Sequence, residues 1–204
     1  PASMAHWKLP AEYAAIALLI VLNLRGVKES VKVLLPIFLV FLATHALLIG
    51  MAVIRHLDSV PEVVSGVSHG FSQGLTTLGM TGMLLLFLRA YSLGGGTFTG
   101  IEAVSNGLQI MREPRAETGK RTMNYMAVSL AITAAGILIG YLLLRTHPMA
   151  GKTMNATLAE SVFGGWRVAG TSVGYWLGLV TLISEGMLLF VAAQAGFIDG
   201  PRVM

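Results

Sequence analysis

The chain contains no cysteine and few charged residues. None of its 204 residues is cysteine, and only 12% are Asp, Glu, Lys or Arg, against roughly 25% in a soluble domain. The lack of cysteine excludes disulfides, thiolate metal sites and cysteine nucleophiles. The low charge comes with 54% hydrophobic residues and a mean hydropathy of +0.72. This composition predicts an integral membrane protein.

Enzyme motifs are missing as well. The sequence has no nucleophile elbow, no pair of metal-ligating histidines at helical spacing and no phosphate-binding loop. We therefore expect neither an enzyme nor a bound cofactor. The net charge of +4 comes from basic residues that lie beside apolar runs, which is typical of membrane loops rather than of a nucleic-acid surface. The expected partners are the lipid bilayer and a small solute or cation; a homodimer is left open.

Five apolar runs dominate the sequence, and with roughly 20 apolar residues needed for a spanning helix they predict five transmembrane segments. They cover 11–25, 33–54, 75–110, 123–145 and 171–198. The third run is interrupted, so it predicts two half-helices, 75–93 and 97–110. The fold class expected is an all-α membrane protein forming a single transmembrane domain, 1–204. Because the sequence shows neither a signal peptide nor a polar tail, we interpret it as a piece of a longer protein.

The interruption is a run of three glycines, Gly94, Gly95 and Gly96, followed by Glu102. Unpaired backbone groups at bilayer depth are costly, so such a break indicates a cavity. A carboxylate in a membrane helix indicates a functional site. Thr99 and Glu102 are three residues apart, so they share one face of a helix. Their oxygens, together with freed carbonyls, suit a small cation.

Two other interpretations of this break are left open. The glycines also suit close packing between helices, although packing alone leaves Glu102 unexplained. Glu102 is also a candidate proton carrier, because burial favours the protonated form of a carboxylate. The N-terminus of the second half-helix opposes this effect, since it stabilises the charged form.

Further ionisable residues lie deep in apolar runs. Arg89 and Glu185 are expected to form an ion pair that holds the bundle together, because an unpaired charge in the membrane is costly. His45 is expected to be a hydrogen-bonded core histidine rather than a ligand.

Several motifs together resemble one family of transporters. They are AYSLGGGTFTGIEAVSN with the following EPR and GKRTM, Leu22-Asn23 with Gly26-Val27-Lys28, and the terminal AGFIDGPRVM. The chain resembles the amino acid–polyamine–cation (APC) superfamily, and within it the KUP-type bacterial proton-coupled potassium importers. The resemblance implies a LeuT-like fold of five plus five inverted-repeat helices, of which this chain covers about helices four to eight. It also implies location in the cell membrane, potassium and protons as transported species, and potassium ligands at Thr99 and Glu102.

The substrate has an alternative within the same fold. An amino acid permease would bind the substrate carboxylate at the start of the second half-helix, 97–110. Some proton-coupled amino acid transporters of the superfamily have a lysine in the middle of their fifth helix, which corresponds to the run 33–54 of this chain. The chain has Phe41 near that place, and this difference disfavours an amino acid substrate. A non-transporting membrane subunit, whose glycines serve packing only, is the second alternative.

The loop charges predict the orientation of the helices. Basic residues cluster in 26–32 and 111–122, which places these loops in the cytoplasm, and 55–70 and 146–170 are then outside. Because the chain lacks cysteine, single cysteines introduced at Ser30, Ser65 and Thr118 can be labelled in intact cells with an impermeant maleimide. Only the cysteine at Ser65 should react. Labelling at Ser30 would reverse the orientation.

Overall fold

The described part of the chain is helical. The computed structural model describes residues 7–24, 27–94, 104–105, 108 and 111–203. Within these ranges it has no β-strand, only an isolated bridge between Val168 and Thr171. The helices are α1 (Lys8–Leu24), α2 (Val27–Arg55), α3 (Val60–Gly94), α4 (Arg115–Leu143), α5 (Met154–Phe163) and α6 (Val173–Val203), with a short 3₁₀ turn at Leu57–Ser59. The all-α prediction is confirmed.

Four segments of the described chain are long and apolar enough to cross a membrane. They are Leu35–Arg55, Leu57–Gly94, Arg115–Leu143 and Val173–Phe190. The apolar run predicted at 11–25 falls in α1, which ends at Leu24 and has 17 residues, at the lower end of the lengths that span a bilayer. The chain therefore has the helical architecture of a membrane protein.

Helix α3 begins earlier than the apolar pattern predicts. It starts at Val60, so most of the segment 55–70, expected as a loop, is helical. The run 60–74 contains serine, glycine and histidine, which hide it from a search for apolar residues. Its proline, Pro61, does not stop a helix, because a missing N–H costs nothing in the first turn.

A second break inside α3 was not predicted. Gly79 has φ 69° and ψ 174°, a conformation that is open essentially only to glycine. It divides α3 into two helical stretches. The helix then ends at Gly94, the first glycine of the predicted interruption. Gly95 and Gly96 lie outside the described residues, as does the predicted half-helix 97–110 apart from 104–105 and 108.

The core lies where α2, α4, α5 and α6 meet. It is built from Leu48 and Ala52 of α2 with Leu158, Ala159, Val162 and Phe163 of α5. Glycines let α4 approach α2 closely: a Cβ added at Gly136 would lie 2.6 Å from Ile49 Cγ2. Small residues at such contacts are the usual means by which membrane helices pack.

Polar contacts hold the segments 55–70 and 146–170 at one end of the bundle. The guanidinium of Arg145 donates to the carboxylate of Glu62, and the guanidinium of Arg55 lies 4.8 Å from the ring centroid of Trp166. The charge pattern assigns both segments to the outer side, and the fold places them on the same side.

A glycine at the contact between α5 and α6 gives a test of the fold. A Cβ at Gly174 would lie 1.7 Å from the carbonyl oxygen of Phe163, whereas one at Gly178 would meet open space. We expect Gly174→Ala to destabilise the purified protein by roughly 1–3 kcal/mol, since overpacking forces backbone shifts. Gly178→Ala is the matched control and should not destabilise. Thermal unfolding in detergent measures both, and equal melting temperatures would contradict this packing.

Candidate functional site

The residues predicted to bind potassium fall largely outside the part of the chain that the structure describes. Gly94 is the last residue of α3, whereas Gly95, Gly96, Thr99 and Glu102 are not described. The potassium site at Thr99 and Glu102 therefore stays a prediction. Among the described residues, no group of three or more His, Asp or Glu side chains is placed to hold a metal ion.

The structure does not bring Arg89 and Glu185 together. Helix α6 packs against α2, α5 and α1, whereas α3 packs on the Leu57–Ser59 turn and on α4. The side chain of Arg89 is exposed, and no carboxylate in the described ranges lies within ion-pair distance of it. Glu185 has a different partner, His45 of α2.

His45 is buried in the contact between α2 and α6. Its side chain is 2% exposed, and its Nε2 lies 3.1 Å from Oε1 of Glu185. The other ring nitrogen, Nδ1, lies 2.9 Å from the carbonyl oxygen of Phe41. The Phe41 ring packs on the imidazole with their centroids 3.9 Å apart. The prediction of a hydrogen-bonded core histidine is confirmed.

The two acceptors around His45 fix the number of protons at the pair. A carbonyl oxygen only accepts, so Nδ1 must carry a hydrogen that it donates to Phe41. In a neutral imidazole Nε2 would then be an acceptor, which an ionised Glu185 would repel. The contact with Glu185 therefore needs one proton, carried either by Nε2 as an imidazolium or by the carboxyl group. Both forms leave the pair neutral overall, which suits the membrane interior.

Hydroxyl groups complete this polar contact. Thr44 and Ser184 approach each other with their oxygens 3.4 Å apart. Each also donates within its own helix: Thr44 to the carbonyl of Phe41 at 3.0 Å, and Ser184 to that of Thr181 at 2.7 Å. Thr181 donates in turn to the carbonyl of Leu177 at 2.8 Å. These small side chains satisfy their own hydrogens and let the two helices approach.

Local patterns in the sequence could have marked these residues but not paired them. His45 follows Thr44 and Glu185 follows Ser184, each in the middle of an apolar run. The two residues are 140 positions apart, and no short-range spacing links them. Only the packing of α2 on α6 shows which carboxylate the histidine contacts.

The pair gives a test of its energetic coupling. Replacing Glu185 by Leu leaves an imidazole nitrogen buried without its partner, whereas replacing both residues removes the polar contact altogether. We expect the double variant, His45→Leu with Glu185→Leu, to be more stable than the sum of the two single effects by roughly 0.5–3 kcal/mol. Thermal unfolding in detergent of the parent, the two single variants and the double variant measures this coupling energy. A cycle of His45→Leu with Ser161→Ala, whose hydroxyl bonds only within α5, is the control and should be additive. Additivity in the His45–Glu185 cycle would show that the contact contributes nothing.

Comparison with known proteins finds one named transporter. The chain is 29% identical over 207 aligned residues to the potassium transporter KimA of Bacillus subtilis (strain 168). The alignment covers 98% of this chain and 31% of KimA, so the chain spans about a third of the relative's length. No family model and no solved structure matches the chain. The chain is thus similar, along nearly its whole length, to part of a potassium transporter.

Proposed function

We propose that this chain belongs to a secondary transporter that imports potassium together with protons. The observation that carries the proposal is the similarity to a potassium transporter over 98% of the chain. It also favours a transporter over an enzyme. The described helices agree with this function, because four segments have the length and hydropathy to cross a bilayer. The proposed location is the cell membrane, which the chain crosses several times.

The proposed mechanism is alternating access within a LeuT-like fold. In such folds the substrate site lies near the middle of the bilayer, where a broken helix exposes backbone carbonyls and amides. Helix α3 ends at Gly94, immediately before the two remaining glycines and the predicted ligands. We propose that Thr99 and Glu102 supply a hydroxyl and a carboxylate oxygen to potassium, a hard cation that prefers oxygen ligands.

The proposed ion site predicts a graded loss of potassium uptake. Glu102→Gln keeps the shape of the side chain but removes its charge, and it should weaken potassium uptake roughly 10- to 100-fold. Thr99→Ala removes one neutral ligand and should weaken uptake only roughly fivefold. The assay is growth and potassium uptake at low potassium by uptake-deficient cells that express the full-length protein.

A matched variant controls for the loss of a carboxylate. Glu62 is exposed and pairs with Arg145 at the end of the bundle, so Glu62→Gln should retain uptake. Rescue that survives Glu102→Gln unchanged would contradict the ion site. No rescue by the parent protein, alongside uptake of labelled amino acids, would contradict potassium as the substrate and favour an amino acid permease.

A further inference from the structure

The His45–Glu185 pair separates two cavities. The first has a volume of about 760 Å³ and lies between α2 and α4, where His45 lines it together with Asn124, Tyr125 and Ser129. The second has a volume of about 910 Å³, and Glu185 lines it together with Lys152 and Thr153 from the segment before α5. Each member of the pair therefore borders a different cavity, and the contact between their side chains is the short link between the two.

The pair lies near the middle of the membrane. His45 lies in the apolar run 33–54, twelve residues from its start and nine from its end, or about 13–18 Å at the rise of an α-helix. These distances are near half of a hydrocarbon core of roughly 30 Å. Ionisable residues at this depth are rare and usually mark a functional site.

The predicted orientation relates the two cavities to the two sides of the membrane. Lys152 and Thr153 of the second cavity belong to 146–170, which the loop charges assign to the outside. Asn124 and Tyr125 of the first cavity lie in the half of α4 nearer Arg115, the end that the loop charges assign to the cytoplasm. The second cavity thus extends from the pair toward the outer end. The first reaches the cytoplasmic half of α4 at Asn124 and Tyr125, and along α2 it extends from Leu42 to Gly50, on both sides of His45.

We propose that the His45–Glu185 pair is a proton-binding site that couples proton entry to transport. This proposal rests on the proposed function and adds a site to it, separate from Thr99 and Glu102. A hydronium ion in the outer cavity gives its proton to the Glu185 carboxylate and becomes water. The proton is held across the Oε1 to Nε2 contact. When α2 and α6 move apart, Nε2 releases the proton to a water molecule that enters through the first cavity, and it recovers its lone pair.

The hydrogen bonds of His45 support a role in coupling. The hydrogen on Nδ1 is held by the Phe41 carbonyl, so only Nε2 is left to exchange a proton. The pair loses its contact when it loses the proton, because a neutral Nε2 and an ionised carboxylate both accept. Protonation therefore favours contact between α2 and α6, and deprotonation favours their separation. This is the dependence that a transporter needs to link a proton to a conformational change.

Other ionisable groups face the pair from the packed helices. Tyr141 of α4 is within the electrostatic reach of Glu185, and its hydroxyl donates to the side chain of Asn155. Lys152 and Glu160 line the outer cavity with Glu185 and pair with each other at 2.5 Å. Tyr125 lines the first cavity and Tyr175 the second. Among the described residues of α1, no titratable side chain lines either cavity.

The flux test uses the full-length protein in liposomes, with dyes for internal pH and potassium. In the parent, an imposed potassium gradient should drive protons in the same direction. Glu185→Gln and His45→Gln should lose this potassium-driven proton flux. A variant with the two residues exchanged, His45→Glu with Glu185→His, keeps one acid and one imidazole in contact and should regain it. His56→Gln and Glu62→Gln remove a histidine and a carboxylate outside the pair and should keep the parent's ratio of protons to potassium.

A purely structural hydrogen bond gives a different result, because glutamine at either position still makes one. If both single variants keep the parent's proton-to-potassium ratio, the proposal is overturned. A titration that needs no variant to retain transport complements the flux test. Magnetic resonance of isotope-labelled histidine, with His45 assigned by its absence in His45→Gln, should show the Nε2 signal changing over the pH range in which uptake changes, because Nε2 loses either the proton itself or the hydrogen bond from the protonated carboxyl. An Nε2 signal that stays constant over that range would overturn the proposal. A parent that moves no potassium would overturn the proposed function instead, and a titrating His45 would then support the proton site by itself.

Discussion

The contact between α2 and α6 sets the arrangement of the bundle. Polar groups inside a membrane are costly unless they find partners, and both helices carry theirs in the middle of an apolar run. His45 and Glu185 satisfy each other at 3.1 Å, while Thr44 and Ser184 bond within their own helices and leave little bulk between the backbones. The helices are therefore held in one rotational register, because turning either one would bury a polar group without a partner.

The apolar packing of α5 against α2, in the outer half of the bundle, depends on the rotational register of α2 and α6. One turn beyond His45, Leu48 continues the same face of α2 and reaches the α5 side chains Leu158 and Phe163. The short helix α5 has no span of its own, and it is fixed by packing between α2 and α6. The close approach at Gly174 completes this packing, since a larger residue would push α6 away from α5. Polar and apolar parts of the interface thus depend on the same spacing between helices.

Much of this architecture could be predicted from local sequence properties, and some of it could not. The apolar runs indicated the helices, because the length and hydropathy that a bilayer requires are properties of each segment alone. The early start of α3 at Val60 was missed because its first turns mix valine with serine, glycine and histidine, so they do not form a continuous apolar run. The partner of Glu185 was missed because pairing depends on which helices pack together, and α3, which carries Arg89, packs on α4. The predicted ligands Thr99 and Glu102 lie outside the described residues, so the sequence remains the basis for them.

The break at Gly79 has a mechanical consequence for α3. A continuous helix transmits twist and axial force along its ladder of hydrogen bonds, whereas a residue at φ 69° and ψ 174° interrupts that ladder. The stretch before Gly79 is tied to the end of the bundle through Glu62 and Arg145, and the stretch after it leads to Gly94. The two stretches of α3 therefore lack a continuous hydrogen-bond ladder at Gly79, so the backbone of the first stretch does not by itself fix the tilt of the second.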